Sequence, residues 1–197
     1  MSAGGRRDDD REPAAGGLAP LVVVLAGGRS RRMGSPKALV ELGGRPLLAW
    51  VLAAALDAGL EAVVVAKPGS PLPPLDVPLW PEPEQPAHPL AGIVAALERA
   101  APRAVVVLAC DMPFVPAELI TGLAALDAVA AAPRGEAFPA RYAPAALPVL
   151  RAGLEREAPV REVLAELGAV EVAAGDPRVL LGVNDPEALA RAAALLR

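Results

Sequence analysis

Two residue types that often carry chemistry are nearly missing from this sequence of 197 residues, which has one cysteine, Cys110, and one histidine, His88. A disulfide needs two cysteines and a structural zinc site needs about four cysteine or histidine ligands, so the chain can form neither by itself. Aromatic residues make up only 3% of the chain, which argues against a surface that stacks single-stranded bases. The net charge is −4, whereas nucleic-acid-binding proteins are usually basic, so we expect no nucleic-acid partner.

Long apolar segments are also missing. The longest candidate, residues 18–28, is shorter than the ~18 residues that a membrane-spanning helix needs, so we expect no membrane association. The N-terminus lacks the apolar stretch of a secretory signal, and we expect a cytoplasmic protein. Residues 1–17 are rich in glycine, arginine and aspartate and are expected to be a disordered tail before a folded domain at 18–197. Because 54% of the chain is hydrophobic, that domain can bury a substantial core.

Short apolar runs alternate with helical segments through the rest of the chain. Strands are predicted at residues 21–26, 62–66, 77–80, 104–109, 128–132, 137–142, 170–173 and 179–182. Helices are predicted at residues 46–58, 90–99, 116–125, 144–156, 159–167 and 185–197. This order is typical of a three-layer α/β/α sandwich with a mostly parallel sheet. Ligands of such folds bind at the carboxyl ends of the strands, so the loops after Ala26, Ala66 and Ala109 are the candidates.

A loop rich in glycine and arginine follows the first predicted strand. Gly27 and Gly28 have no Cβ atom, so the backbone can approach a ligand closely and its N–H groups can bind phosphate. The loop lacks the Gly-Lys-Ser/Thr ending of a Walker A motif and the Gly-x-Gly-x-x-Gly of a dinucleotide-binding turn. Its positive charge suits a polyphosphate and comes from Arg29, Arg31, Arg32 and Lys37.

An acidic residue follows another predicted strand. Asp111 comes just after Ala109, so its carboxylate is expected to face the same crevice as the glycine loop. A carboxylate in this place is a natural ligand for Mg²⁺ that also binds substrate phosphates, although it could instead only stabilise a turn. The neighbouring Cys110 is expected to point into the core, because no base lies beside it to activate the thiol.

The stretch Leu-x-Gly-Gly-x-x-x-Arg-Met-Gly-x-x-Lys at residues 25–37 and the Cys-Asp-Met-Pro at 110–113 resemble the signatures of nucleotidyltransferases. These enzymes have a single-domain, Rossmann-like (glycosyltransferase-A-like) fold. With two glycines in the loop, the chain resembles molybdenum cofactor guanylyltransferases, which transfer GMP from GTP to the phosphate of molybdopterin and release pyrophosphate. The resemblance covers about residues 21–196. It implies a nucleotidyltransferase domain, GTP and molybdopterin as substrates, Mg²⁺ as cofactor, and handoff of the product to a molybdoenzyme or a chaperone.

The resemblance also implies roles for individual residues. Arg32 and Lys37 would hold the triphosphate and act in catalysis together with Asp111, which would be the Mg²⁺ ligand. The segment His88–Gly92 resembles one that lines the nucleotide pocket, with a histidine, expected to face solvent, in place of the first glycine. The implied nucleotide-binding residues are Leu25, Ala26, Gly27, Gly28, Lys37, Glu82, Leu90, Gly92 and Asp111.

Three further positions match the family pattern with changes. Glu82, with Glu84 as the alternative, matches an aspartate that contacts the nucleoside. Asn184 matches the second asparagine of the family's Asn-x-Asn-Thr-Pro, with Gly182 at the first. Asn184 would orient the metal site or the bound phosphates, or else only cap the last helix. Arg141 lies in a segment assigned to the pterin side and would bind the phosphate of the acceptor.

The identity of the base stays open between two alternatives. Gly27, Gly28 and Asn184 favour guanine. Pro36, and Lys67 where the family often has asparagine, favour a molybdopterin cytidylyltransferase or another transferase that joins a nucleotide to a phosphorylated acceptor. A third hypothesis is a non-catalytic nucleotide-binding module, which would bind nucleotide without releasing pyrophosphate. The joint presence of the loop cations and Asp111 argues against it.

Overall fold

A computed structural model of the chain describes residues 18–28 and 35–196. The expected tail at 1–17 and the loop cations Arg29, Arg31 and Arg32 lie outside the described residues. The larger sheet consists of β1 (Leu21–Leu25), β4 (Ala62–Ala66), β5 (Leu79–Pro81), β6 (Val105–Ala109), β7 (Ala130–Pro133), β8 (Ala140–Tyr142) and β9 (Val170–Val172). A hairpin consists of β2 (Glu41–Leu42) and β3 (Arg45–Pro46). The helices are α1 (Leu47–Asp57), α2 (Pro89–Ala100), α3 (Ala117–Ala125), α4 (Leu147–Glu155), α5 (Val160–Glu166) and α6 (Pro186–Leu195).

The larger sheet has the strand order β5-β4-β1-β6-β8-β7-β9. Strand β8 runs antiparallel to its neighbours β6 and β7, whereas the other pairs are parallel. The chain leaves β1 for β4 on one side and later returns to β6 on the other side, which leaves a crevice at the carboxyl ends of these strands. The mostly parallel sheet that the alternation of elements predicts is therefore confirmed.

Side chains along β1 alternate between two apolar layers. Val22 and Val24 pack on the side of α1 and α3, whereas Leu21 and Val23 pack on the side of α2, α4 and α5. A strand that is buried on both faces needs an unbroken apolar run, which residues 21–25 provide. A smaller third cluster joins the hairpin to α6 and includes the fully buried Val183. The sheet thus lies between two helical layers, as expected for an α/β/α sandwich.

Two local predictions differ from the structure. Residues 179–182 are predicted as a strand, but Pro177–Leu180 form a single 3-10 turn. The turn is favoured because the side chain of Asp176 accepts a hydrogen bond from the backbone N–H of Arg178 at 2.9 Å, as an N-cap residue does. The β2–β3 hairpin is missed by the sequence prediction because two-residue strands carry no periodic pattern. None of the helices in the described part of the chain is both long and apolar enough to cross a membrane.

Tyr142 on β8 buries both an apolar ring and a polar hydroxyl, and burial of the hydroxyl is unfavourable. Its side chain is fully buried, and its hydroxyl has no hydrogen-bond partner among the described residues. Burial raises the pKa of the Tyr142 phenol above its ordinary value. A buried polar group without a partner costs roughly 1–3 kcal/mol of stability.

We predict that Tyr142→Phe stabilises the protein, because phenylalanine keeps the packed ring and removes the buried hydroxyl. The free energy of unfolding should rise by about 1 kcal/mol, and the melting temperature by about 2–4 °C. Urea and thermal unfolding of both proteins measure this difference. A loss of stability would contradict the prediction and would mean that the hydroxyl does have a partner, such as a buried water.

The same substitution should change the dependence of stability on pH. In the wild type the folded-state pKa of Tyr142 lies above the unfolded value of about 10. The contribution of the protonated phenol to the free energy of unfolding is therefore fully present below about pH 10, and it is lost as the pH rises further. The advantage of Tyr142→Phe should grow in unfolding experiments above pH 10. Because Tyr142 is the only tyrosine, its ionisation can also be followed directly by phenolate absorbance, which should appear together with unfolding.

Candidate active site

A crevice runs along the carboxyl edge of the larger sheet, beside β1 and β6. It consists of two adjoining cavities of about 680 and 740 Å³, both lined by Gly27, Gly28, Lys37 and Lys67. The β4-side cavity extends over residues 67–71, whereas the β6-side cavity extends toward Asp111. The loops after β1, β4 and β6 therefore meet at one place, as the sequence predicts.

The ammonium group of Lys37 lies between two oxygen atoms from distant parts of the chain. Its Nζ donates to Oδ2 of Asp111 at 2.6 Å and to Oδ1 of Asn184. The side chains of Lys37 and Asp111 are 24% and 12% exposed, so solvent screens this pair less than it would screen a surface pair. Three residues singled out from sequence thus come together at one positive charge.

Backbone hydrogen bonds fix the position of Asp111. The N–H of Cys110 donates to the carbonyl of Leu25 at 3.1 Å, which ties this segment to the end of β1. The N–H of Val183 donates to the carbonyl of Asp111 at 2.8 Å. Because Val183 is fully buried, it anchors the C-terminal segment and brings the next residue, Asn184, to the site.

Asn184 does not cap the last helix, which was its alternative role. The cap of α6 is Asp185, whose Oδ1 accepts from the N–H of Ala188 at 2.7 Å. The packing around Asn184 also favours glycine at position 182, because a Cβ atom there would lie 2.9 Å from Nδ2 of Asn184. Gly182 therefore leaves the space that the Asn184 amide needs beside Lys37.

A second ion pair lies deeper in the crevice. Nζ of Lys67 lies 2.9 Å from Oε1 of Glu82, and the two side chains are 13% and 8% exposed. A Cβ atom on Gly27 would lie 2.7 Å from Oε2 of Glu82, and one on Gly92 would lie 2.9 Å from it. A side chain at either position would force the Glu82 carboxylate to move, because the carboxylate packs against the backbone there.

Glu82 is the better placed of the two glutamates that the sequence leaves as candidates. It is buried and lines the β6-side cavity, whereas Glu84 is exposed at the edge of the β4-side cavity. The backbone N–H of Glu82 donates to the carbonyl of Ala66 at 2.9 Å. This bond continues the pairing of β5 with β4 and places Glu82 beside Lys67.

Cys110 is buried, as expected. Burial, with a smaller contribution from the negative charge of Asp111, raises the pKa of the Cys110 thiol to about 12. A thiol with this pKa stays protonated near neutral pH and is a poor nucleophile.

Three described residues among the predicted site residues line neither cavity. Gly92 lies on α2, beside the Glu82 carboxylate. Leu90 is fully buried in the core beneath α2. Arg141 is buried on β8, where it pairs across the sheet with Val106, near the start of β6. Its Nη1 donates to the carbonyl of Ala128, and desolvation lowers the pKa of its guanidinium. This placement corrects the expectation that Arg141 binds the phosphate of the acceptor at the site.

His88 is half-buried rather than solvent-facing. Its Nδ1 accepts from the N–H of Leu90 at 3.2 Å and caps α2, and the residue lines the β6-side cavity. The bond leaves the other ring nitrogen, Nε2, to carry the proton of the neutral imidazole.

The sequence interpretation misses three residues that line the β6-side cavity. These are Glu136, Phe138 and Arg161. Arg161 projects from α5, and its Nη2 lies 3.0 Å from Oε2 of Glu136. No local motif marks these residues. Glu136 and Phe138 lie in the loop between β7 and β8 and Arg161 lies on α5, so only the packing of these elements brings them to one cavity.

The oxygen atoms around Lys37 also fit a hard cation. Groups of three or more histidine, cysteine, aspartate or glutamate residues that could hold a metal are absent from the part of the chain that the structure describes. Mg²⁺ does not need such a group, because it often takes one or two protein oxygens and completes its shell with substrate phosphates and water. The carboxylate of Asp111 and the side-chain carbonyl of Asn184, which converge on one ammonium, are a donor set of this kind.

Comparison with known proteins gives the same family that the motifs indicate. Residues 22–172 match the model of the MobA-like NTP transferase domain. A molybdenum cofactor guanylyltransferase of Cereibacter sphaeroides is 37% identical over 190 residues, which cover 89% of this chain and 96% of the relative.

Two solved structures have the same fold. Molybdopterin-guanine dinucleotide biosynthesis protein A from Archaeoglobus fulgidus has a TM-score of 0.75 and 25% identity, over 89% of this chain and 98% of its own. The 2-C-methyl-D-erythritol 4-phosphate cytidylyltransferase from Thermus thermophilus has a TM-score of 0.67 and 27% identity, over 90% of this chain and 98% of its own. The nucleotidyltransferase fold predicted from the sequence is confirmed, and the chain belongs to the family of MobA-like NTP transferase domains.

Proposed function

We propose that this protein is a molybdenum cofactor guanylyltransferase that transfers GMP from GTP to the phosphate of molybdopterin. The observation that carries the proposal is the ammonium of Lys37 held by Asp111 and Asn184, in a crevice that the Gly27–Gly28 turn also lines. Such a site offers cationic and metal-binding groups next to a backbone that can approach phosphates closely. The similarity to a named guanylyltransferase over most of both chains supports the same activity.

The reaction needs no nucleophile from the protein. An anionic phosphate oxygen of the acceptor attacks the α-phosphorus of GTP, and the bond from that phosphorus to the bridging oxygen breaks. Pyrophosphate leaves with the electron pair of that bond. Catalysis then depends on alignment of the two substrates and on neutralisation of charge on the leaving group. The protonated thiol of Cys110 fits this scheme, because no covalent intermediate is required.

The crevice can be divided between the two substrates. The nucleoside would lie between the Gly27–Gly28 turn and the Lys67–Glu82 pair. The Glu82 carboxylate, which only accepts hydrogen bonds, suits the N1–H and 2-amino donors of guanine. The acceptor would occupy the far end of the β6-side cavity, where Phe138 offers a ring for stacking and Arg161 offers a positive charge.

Asp111 and Asn184 would hold Mg²⁺ together with the substrate phosphates. When bound there, the ion would neutralise charge that develops on the departing pyrophosphate. The Lys37 ammonium would then donate to phosphate oxygens instead of to Asp111. Arg32, which lies outside the described residues, would add a second positive charge to the triphosphate. The product would pass to a molybdoenzyme or a chaperone.

A molybdopterin cytidylyltransferase is the alternative function. It is favoured by Pro36 and by the likeness of the fold to the cytidylyltransferase from Thermus thermophilus. It would keep the same chemistry and the roles of Lys37 and Asp111, and it would change only the base.

Asp111→Asn tests the catalytic assignment. The substitution keeps an oxygen that can accept from Lys37 and removes the negative charge that would bind Mg²⁺. Turnover, measured as Mg²⁺-dependent pyrophosphate release from GTP and molybdopterin, should fall by about 10²–10³. The melting temperature should stay within a few degrees of the wild type.

Asp185→Asn is the matched control for this experiment. The same chemical change is made next to Asn184, at a residue that caps α6, and asparagine caps helices as well as aspartate does. Its turnover should equal that of the wild type. Near-normal Mg²⁺-dependent turnover of the Asp111 variant would reject the assignment.

A nucleotide panel tests the base. The melting temperature is measured with GTP, CTP, ATP and UTP, each with Mg²⁺. A nucleotide at about 100 times its Kd adds roughly 2.7 kcal/mol of stability, which is several degrees for a chain of this size. We expect the largest shift with GTP. A shift with CTP alone would support the cytidylyltransferase, and a GTP shift without pyrophosphate release in the complete assay would support the non-catalytic module.

A further inference from the structure

Lysine is used in this chain only at the crevice. The sequence has seventeen arginines and two lysines, and both lysines, Lys37 and Lys67, line the two cavities. The two cations differ chemically, because a lysine ammonium is a compact charge with three donors, whereas the arginine guanidinium is a planar fork. An arginine could therefore not simply replace the ammonium of Lys67.

The ammonium of Lys67 has three oxygen partners from three consecutive residues. It donates to the carbonyls of Pro83 at 2.6 Å and Glu84 at 2.9 Å. Its third partner is Oε1 of Glu82 at 2.9 Å. Two of the three N–H donors of the ammonium are thus taken by backbone carbonyls, and the same charge forms an ion pair with Glu82.

What Lys67 does control is the position of the Glu82 carboxylate. Oε1 is tied to the ammonium, and Oε2 packs against the backbone of Gly27 and Gly92. The carboxylate is thereby held on two sides. The paired ammonium also compensates a negative charge that would be costly to bury alone.

We infer that Lys67 is a positioning residue that sets selectivity for guanine through Glu82. It holds the carboxylate in the orientation that accepts from the N1–H and the 2-amino group of the base. Guanine presents these two donors side by side, whereas the corresponding edges of adenine and cytosine place an acceptor beside the donor. The inference rests on the proposed function, and it adds a residue that acts without touching the substrate.

Inosine triphosphate isolates this interaction, because it keeps N1–H and O6 and lacks the 2-amino group. We compare the dissociation constants of GTP and inosine triphosphate by calorimetry. The wild type should bind GTP roughly 10- to 100-fold more tightly, as expected for a hydrogen bond to a charged group. Lys67→Met should bring that ratio below about 3-fold, by weakening GTP more than inosine triphosphate.

Lys67→Gln serves if the methionine variant does not fold. Glutamine keeps two N–H donors for the backbone carbonyls and lacks the charge that pairs with Glu82. The same loss of the ratio is expected. A Lys67→Met/Glu82→Gln double variant should have the ratio of Glu82→Gln alone, since Lys67 is expected to act only through Glu82.

Arg103→Met is the matched control. Arg103 also binds one carboxylate, Glu61, at 2.6 Å and the carbonyls of Ala19 and Pro20. These residues lie just before the amino ends of β1, β4 and β6, away from the crevice at the carboxyl ends. This variant should lose stability and keep the wild-type ratio. An equal fall of the ratio in Arg103→Met would overturn the inference, because the effect would then follow from general destabilisation.

Two other results would also overturn the inference about Lys67, and neither of them would contradict the proposed function. If folded Lys67 variants keep the wild-type ratio, Lys67 does not position Glu82, and the guanylyltransferase proposal is unaffected. If the wild type rejects CTP but binds GTP and inosine triphosphate equally, the protein does not recognise the 2-amino group. The proposal that it transfers GMP is again unaffected. The proposed function itself fails only if GTP is not the preferred nucleotide in the panel.

Discussion

The parallel pairing of β1 with β6 is the constraint on which the site depends. Leu25 lies opposite Ala109 in this pair, so Gly27 and Asp111 each follow at the same distance beyond a strand end. The hydrogen bond from Cys110 to Leu25 extends the pairing past the strands. A shift of one residue in this register would turn the alternating valines of β1 toward the wrong helical layer, so the two-sided burial of the strand also protects the geometry of the crevice.

The two lysines of the crevice differ in the groups that hold their ammonium. Lys37 is held by the side chains of Asp111 and Asn184, which can rotate and exchange the ammonium for another cation. Lys67 is held largely by backbone carbonyls, which cannot rotate away without moving the loop. A flexible chain with a compact charge suits the first role, because the ammonium can turn toward an incoming phosphate. The second role uses the same charge as a fixed support.

Sequence predicts the parts of the site that lie next to one strand, and it fails where distant elements meet. The glycine loop and Asp111 are predictable because each follows a clear apolar run. The role of Asn184 is decided only by the burial of Val183, which brings residue 184 to a lysine 147 positions earlier in the chain. Arg141 is misassigned because the antiparallel strand β8 pairs its middle residue with Val106, near the start of β6, and no sequence pattern records that register. The contribution of Arg161 depends on how α5 packs, which is equally invisible in the sequence.

The sheet pairing connects two departures from the family pattern, Lys67 and Glu82. Ala66 lies opposite Pro81 in the parallel pairing of β4 with β5, so the next residues, Lys67 and Glu82, come side by side. Glutamate is one methylene longer than the aspartate of the family pattern, and its carboxylate needs the space that Gly27 and Gly92 leave. The lysine then balances the charge that this longer side chain buries. Taken alone, a lysine in place of the family's asparagine argues against guanine. Taken with Glu82, it supports a buried carboxylate at the place that the proposed function gives to the base.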